Sequence, residues 1–340
     1  MRSILSILLL LVILPTTRAQ KKELTRLFRT ETPLEIKLRF SVKDVKKITN
    51  DTIYTASVLH YKDGDKWDSV KVDIRARGNF RRANCYFPPL RVKIKKEDGK
   101  GTVFEGNRSL KLVLPCKSSK DADNDLIMKE FVCYQMFEPI TEYYFNTRLT
   151  AIDFTDLSNK KVSHVALKGF FIEDDDVVAK RHGGKIKETK VLPQLLDTAN
   201  ALRHDLFQYM IANTDVSTLF MHNAKIMDIE NGKTHKYIPL TYDFDMAGFV
   251  NAPYAEANEM LGISSVRERL YRGFCRDQAT TQRIRKEIIS KEQAIMGALK
   301  AYESSFQPKD YAGMVKYMEE FFVTMKDDGK FATSIKCRTQ

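Results

Sequence analysis

The sequence predicts an α+β protein in two lobes, strand-rich over 20–172 and mainly helical over 173–340. Two observations predict it. Apolar residues recur at every second position through much of the first part, and at helical spacing through much of the second. The composition permits a packed core, with 43% hydrophobic and 29% charged residues.

The first 19 residues carry the pattern of an export leader. Arg2 supplies a positive start, 4–14 is apolar apart from Ser6, and Thr17-Arg18-Ala19 places small residues where a signal peptidase cuts. The apolar run is about 11 residues long, and a bilayer-spanning helix needs about 20. Cleavage after Ala19 is therefore expected, followed by secretion to the periplasm or cell exterior. No later segment reads as a membrane span.

Leu34 to Phe40 alternates apolar and polar residues. Tyr54 to Tyr61 and Val70 to Ile74 read as a hairpin turning at Asp63-Gly64-Asp65. Leu90, Val92 and Ile94 share one face of a strand, and Leu110, Leu112 and Leu114 share one face of another. Asp123 or Asp125 can cap a helix whose stripe is Ile127, Phe131 and Tyr134, ended by Pro139. Strands return at Arg148 to Phe154 and Val165 to Ile172. Helices are predicted at Ala199 to Ala212, Val266 to Tyr271, Gln282 to Tyr302 and Pro308 to Lys326. A short hairpin joins Asn223 to Asp228 and Tyr237 to Asp243 across Asn231-Gly232.

The formal net charge is +12. Lys and Arg are spread along the chain, without an arginine-rich arm or interleaved aromatics, so the charge reads as solubility plus an anion site and not as nucleic-acid binding. Five Cys in an exported chain predict disulfides with one thiol left over. Cys85 and Cys116, at strand ends, are the expected pair. Cys275 and Cys337 can pair as well, and Cys133 on a helix pattern reads as a buried thiol. No CxxC or His/Cys spacing suits structural zinc, and no GxSxG elbow supports serine hydrolysis.

The richest stretch is Asn213-Thr214-Asp215, then His222-Asn223, then Tyr242-Asp243-Phe244-Asp245. Phosphoryl transfer uses such parts: one carboxylate to take the acceptor's proton, and an Asn with a second carboxylate to hold the divalent ion on the phosphates. Asp215 is the candidate base, with Asn223, Asp243 and Asp245 as metal ligands. Phe244 between the two carboxylates should point into the core. A plain solvated turn is the alternative for that triplet, and a structural hydrogen bonder is the plainer role for His222. The spacing of eight residues from Asp215 to Asn223 implies an inserted turn.

These segments, with Arg77-Gly78-Asn79 and Gly169-Phe170-Phe171-Ile172-Glu173, resemble the spore-coat CotH kinase-like family. The likeness runs over about Asp73 to Phe249 in scattered motifs. It implies a two-lobed atypical protein-kinase-like fold, ATP with Mg²⁺ or Mn²⁺, and an exported protein as acceptor. It also implies that Lys111 pairs with Glu130 and touches the phosphates, although the strand pattern places Lys93 and Lys95 equally well. Arg77 would reach a phosphate, where a guanidinium grips two oxygens. Glu173 falls between the lobes, in an acidic run to Asp176 that otherwise reads as an exposed connection. Arg181-His182-Gly183-Gly184 reads as a mobile loop. Two other functions stand beside phosphotransfer: a noncatalytic scaffold that binds an envelope partner, and an unrelated protein whose basic face meets anionic polymers.

Overall fold

Seven strands close into a barrel. The computed structural model describes residues 24–117, 121–160 and 163–338, with nothing said of the side chains of 121–124. The expected leader, residues 1–19, lies outside the described residues. The barrel strands are β1 (Leu34–Phe40), β2 (Thr55–Asp63), β3 (Lys66–Ala76), β4 (Leu90–Lys93), β5 (Ser109–Val113), β6 (Thr147–Asp156) and β7 (Ser163–Ile172). Their order is β1-β2-β3-β4-β5-β7-β6, and β6 returns to β1. Neighbours are antiparallel except at that closure, where β1 runs parallel to β6 with Leu34 opposite Thr150 and Phe40 opposite Asp156.

A second sheet has the order β10-β9-β8, from β8 (Gly184–Ile186), β9 (Ala224–Asn231) and β10 (Thr234–Thr241). The helices are α1 (Val42–Lys47), α2 (Phe80–Asn84), α3 (Lys96–Gly99), α4 (Asp121–Phe137), α5 (Asp175–Arg181), α6 (Thr198–Met210), α7 (Gln278–Ser290), α8 (Glu292–Lys300), α9 (Pro308–Lys326) and α10 (Asp328–Ser334). A closed seven-stranded barrel with a small sheet and these helices overturns the two-lobed kinase-like fold that the resemblance implied. The physical reason lies in the β1–β6 pairing. Period-two alternation reports a strand with two unlike faces, but it is silent on which distant strand covers its edge.

Two apolar cores follow. One fills the barrel, with Leu38, Leu59, Val72, Leu112, Phe154 and Phe171. The other lies among α4, α6, β9, β10 and α7 to α9, and reaches the outer faces of β5 and β7 through Val113, Phe170 and Ile172. The barrel is tight at Gly169, where a Cβ would come within 2.7 Å of the Val113 carbonyl oxygen and 2.8 Å of Ile152.

The hairpins form at the expected turns, with Gly64 at φ +63° and Gly232 at φ +63°. Three expected helices differ. Helix α4 begins at Asp121, so Asp123 and Asp125 lie inside it and not at its expected start. Val266 to Tyr271 is irregular. The Arg267 and Arg269 guanidiniums of that segment lie 4.5 and 3.7 Å from the Tyr317 ring on α9, a cross-chain anchorage that overrides local helical spacing. The single helix expected over 282–302 is broken at Lys291 into α7 and α8, where Lys291 Nζ reaches back to the Ile140 carbonyl at 3.0 Å. The acidic run leads into α5, capped by Asp174, whose side chain accepts from the Asp176 N–H, and of the expected mobile loop Arg181 ends α5, His182 is its C-cap and Gly184 opens β8.

The expected disulfide Cys85–Cys116 is present, Cys275 and Cys337, whose pairing was left open, are bonded as well, and Cys133 is a buried thiol. Two disulfides are compatible with an oxidising compartment. Among the described residues no helix is long and apolar enough to cross a membrane.

Candidate functional site

Strand β5 carries the first member of the site. Leu110, Leu112 and Leu114 are buried toward the barrel, and Lys111 points to the other side yet is only 3% exposed. Its ammonium lies 4.8 Å from the Phe145 ring centre and 4.3 Å from that of Tyr242. Asp175 on α5 is 3.5 Å away, and Nζ has no hydrogen-bond partner. Burial lowers its pKa to about 8, with Arg77 and Arg91 adding to the fall and Asp175 opposing it. Lys111 is thus a desolvated cation with one loose counter-ion.

Lys111 does not pair with Glu130, as the resemblance implied. Glu130 on α4 pairs with Arg81 of α2, Nη1 to Oε2 at 3.3 Å, and its Oε1 is buried without a hydrogen-bond partner. Burial raises the Glu130 pKa and Arg81 works against that rise. Helix α2 begins just after Arg77-Gly78-Asn79, where Gly78 adopts φ +73°. That left-handed turn suits glycine, and it releases the chain from β3 so that Arg77 and Arg81 both face the α4 side. Arg77 lies 3.8 Å from Asp243, and Arg81 Nε lies 3.9 Å from Asp245.

The stretch after β10 supplies the acids. Asp243 adopts φ +66° and donates its backbone N–H to the Tyr134 hydroxyl at 2.9 Å. A non-glycine residue there is held by its surroundings. Phe244 is fully buried against Tyr134 and Phe207, at ring distances of 4.6 and 5.6 Å. Asp245 is buried and accepts from the Tyr254 hydroxyl at 3.1 Å. Burial and then Asp243 raise the Asp245 pKa, while Arg81 opposes them. Asp215 also contributes to that rise, so its charge acts on the same cluster.

Asp215 and Asn223 are joined directly. The Asn223 amide donates to the Asp215 carbonyl at 2.7 Å and to its carboxylate at 3.0 Å. His222 Nε2 lies 2.9 Å from the other carboxylate oxygen. The residues between them form the inserted turn, closed by paired backbone hydrogen bonds between Ser217 and His222 at 3.0 and 2.9 Å. Asn223, at φ +50°, accepts from the Tyr242 N–H at 3.1 Å, which ties this turn to the residue before Asp243.

Glu173 stands apart from its expected role. Both its oxygens are taken by Arg181, at 2.7 and 2.6 Å, and one also receives the Asn146 side chain at 2.7 Å. A carboxylate so saturated by its own chain serves as a strut and not as a cofactor contact. The residues beside it do join the site: Asp174 binds Arg91 at 2.6 Å and Asp175 faces Lys111.

The oxygen donors of Asp243, Asp245 and Asn223 suit a hard divalent cation. They are not drawn into a closed ring. Among the described residues, the trio whose ligand atoms lie within 4.8 Å of one another is Asp228, Glu230 and His235 on the β9–β10 hairpin. There Lys185 pairs with Glu230 and Lys187 lies 3.9 Å from Asp228, so the charges are already balanced internally. Asp228 Oδ2 is buried without a hydrogen bond there, and at the candidate site two such atoms, Lys111 Nζ and Glu130 Oε1, share that state, which costs about 1–3 kcal/mol each. Those atoms and the donor set fit a phosphate with its metal.

Arg81, Tyr134, Asp175 and Tyr254 were not singled out by sequence. Arg81 follows Arg77 by one helical turn, and Asp175 lay in a run read as a connection. Tyr134 was read only as part of a helix stripe, and Tyr254 carried no local signal. No protein-family model and no curated protein matches this chain.

Proposed function

We propose that this chain is a metal-dependent phosphotransferase that moves a phosphate from a nucleotide such as ATP to a hydroxyl of an exported protein. Lys111 and Arg77 would bind phosphate oxygens. Asp243 and the Asn223 side-chain oxygen would hold Mg²⁺ or Mn²⁺, which would supply charge neutralisation on the phosphates. Asp215 would take the proton of the acceptor hydroxyl as its oxygen bonds to the terminal phosphorus. The bond from that phosphorus to the bridging oxygen breaks, and the nucleoside diphosphate leaves with the electron pair. His222 would orient the Asp215 carboxylate.

The observation that carries this reading is the buried ammonium of Lys111. It is desolvated, lacks a hydrogen bond and lies 4.3 Å from the ring of Tyr242, the residue that precedes Asp243 and donates its N–H to Asn223. The order of the motifs, similar to the CotH kinase-like family, supports the chemistry; the fold is not carried over. Two disulfides are in keeping with an exported chain and an exported acceptor.

A second reading, a noncatalytic scaffold with the same cluster, is favoured by one observation: Lys111 and Glu130 each have another partner. Thermal unfolding tests both. A ligand present at about 100 times its Kd raises stability by about 2.7 kcal/mol. ATP with Mn²⁺ should raise the melting temperature of the wild type, and Asp243→Ala should abolish the rise. If neither Mg²⁺ nor Mn²⁺ with ATP shifts the wild type, the phosphotransfer reading fails. A shift without transfer of labelled phosphate to any acceptor selects the scaffold.

A further inference from the structure

We infer that Arg81 is a permanent cation of the site, and that the acidic cluster therefore takes one divalent ion, at Asp243, and not two. The inference rests on the phosphotransfer reading and specifies its metal requirement. Three carboxylates, from Glu130, Asp243 and Asp245, face this region, and two of them are already engaged by one guanidinium. Arg81 reaches Glu130 at 3.3 Å and Asp245 at 3.9 Å, and it donates to the Leu114 carbonyl as well. It is 6% exposed. An arginine does not lose its proton in a protein, so this charge is present at every working pH.

The guanidinium is also fastened in place. Arg81 lies on a five-residue helix whose next residue is Cys85. Cys85 is bonded to Cys116, two residues beyond the Leu114 carbonyl that receives Arg81. The backbone adds a second tie, since the Tyr86 N–H donates to the Cys116 carbonyl at 2.7 Å. Withdrawing the side chain would leave Glu130 as a buried charge without its partner, a costly state. A divalent ion between Glu130 and Asp245 would have to displace a cation that has nowhere to go.

Asp243 is different. Its nearest cation is Arg77, at 3.8 Å, and its side chain is 25% exposed. Asp245, by comparison, is 8% exposed and also accepts from the Tyr254 hydroxyl, so Asp243 is the acid left open to a metal. The geometry thus divides the acids by role: Asp243 for the metal, with Asn223 beside it, and Asp245 and Glu130 for Arg81. Arg81 is a positioning residue here, acting on the charge around the metal and not on the reacting atoms.

The test counts bound Mn²⁺ on the full chain, oxidised, by the electron paramagnetic resonance signal of the free ion. Wild type, Arg81→Lys and Arg81→Met are compared, with Arg81→Gln, which is neutral but keeps a donor for Glu130, as the variant used if Arg81→Met fails to fold. The wild type and Arg81→Lys should each bind one equivalent. The folded Met variant should bind a second, at the carboxylates Arg81 has left. Two equivalents on the wild type overturn the inference and leave the phosphotransfer reading standing, as does a single equivalent on the Met variant, or on the Gln variant where the Met variant does not fold. No Mn²⁺ bound to the wild type overturns both.

Discussion

The two faces of β5 are equally buried and chemically opposite. On one, Leu110, Leu112 and Leu114 are fully enclosed in the barrel core. On the other, one residue away, Lys111 is just as hidden but holds a charge with no hydrogen bond. The apolar face is satisfied by burial itself. The charged face is left unsatisfied by the same burial. A fold bears such a cost where another function needs the group, and strained or unsatisfied residues gather at such places. Here the strain coincides, because Asn223 and Asp243 both adopt left-handed backbone conformations beside the same cluster.

The comparison breaks most visibly on the apolar face. Leu112→Ala removes methyl groups from a fully enclosed position, and such changes cost about 2–5 kcal/mol. Urea unfolding should show that loss. The thermal shift with ATP and Mn²⁺ should survive in the fraction that folds, because Leu112 faces the barrel and touches no charged member of the site. A loss below about 1 kcal/mol would mean that the barrel interior is not packed as described.

Lys111→Met acts on the other face and should move stability the opposite way. The pKa of Lys111 is lowered to about 8 from 10.5, chiefly by burial. Between these values the unfolded chain holds a proton that the folded chain has released, so stability rises with pH through that window. Below about pH 8 both states are protonated and burial of the charge exacts its full cost, which is at most about 3 kcal/mol. The Met variant should therefore be more stable than the wild type at pH 7, by about 2 kcal/mol, and the gap should narrow by pH 9.5. Asp175 keeps Arg91 and Lys225 as favourable charges in the variant. The variant should also lose the ATP-dependent shift. A gap that is unchanged between pH 7 and 9.5 would show that Lys111 is not held as a desolvated cation.

Much of this contrast was written in local sequence. The alternation around Leu110 to Leu114 marks β5, and Asn231-Gly232 marks the second hairpin. The spacing from Asp215 to Asn223 required a turn, and one is present. Barrel closure was not legible, since it depends on β1 meeting β6 more than a hundred residues away, in register but without a local mark. The partners of Lys111 and Glu130 were hidden for a related reason. A strand pattern says that Lys111 leaves the apolar face; only packing decides whether Glu130 or Asp175 meets it there. Glu173 illustrates the reverse error. It lies beside the site in sequence, yet Arg181 and Asn146 consume its oxygens.

The smallest effect comes from a carboxylate that caps a helix and has one long ion-pair contact, to Lys236 at 4.0 Å. Asp197 caps α6, and its side chain accepts from the Asn200 N–H at 2.9 Å. Its oxygen also receives the Asn200 amide at 2.7 Å. Loss of such a cap costs about 1 kcal/mol, because it frees a helical N–H without opening a cavity or stranding a buried charge. Asp197→Ala should lower unfolding stability by about that amount and leave the ATP–Mn²⁺ shift intact. Asp243→Ala should do the reverse, losing the shift, since its carboxylate has only the distant Arg77 as an ion-pair partner and stabilises no helix end. If Asp197→Ala abolished the shift as well, the ligand effect would report general loosening of the chain, and the separation between structural and site carboxylates would collapse.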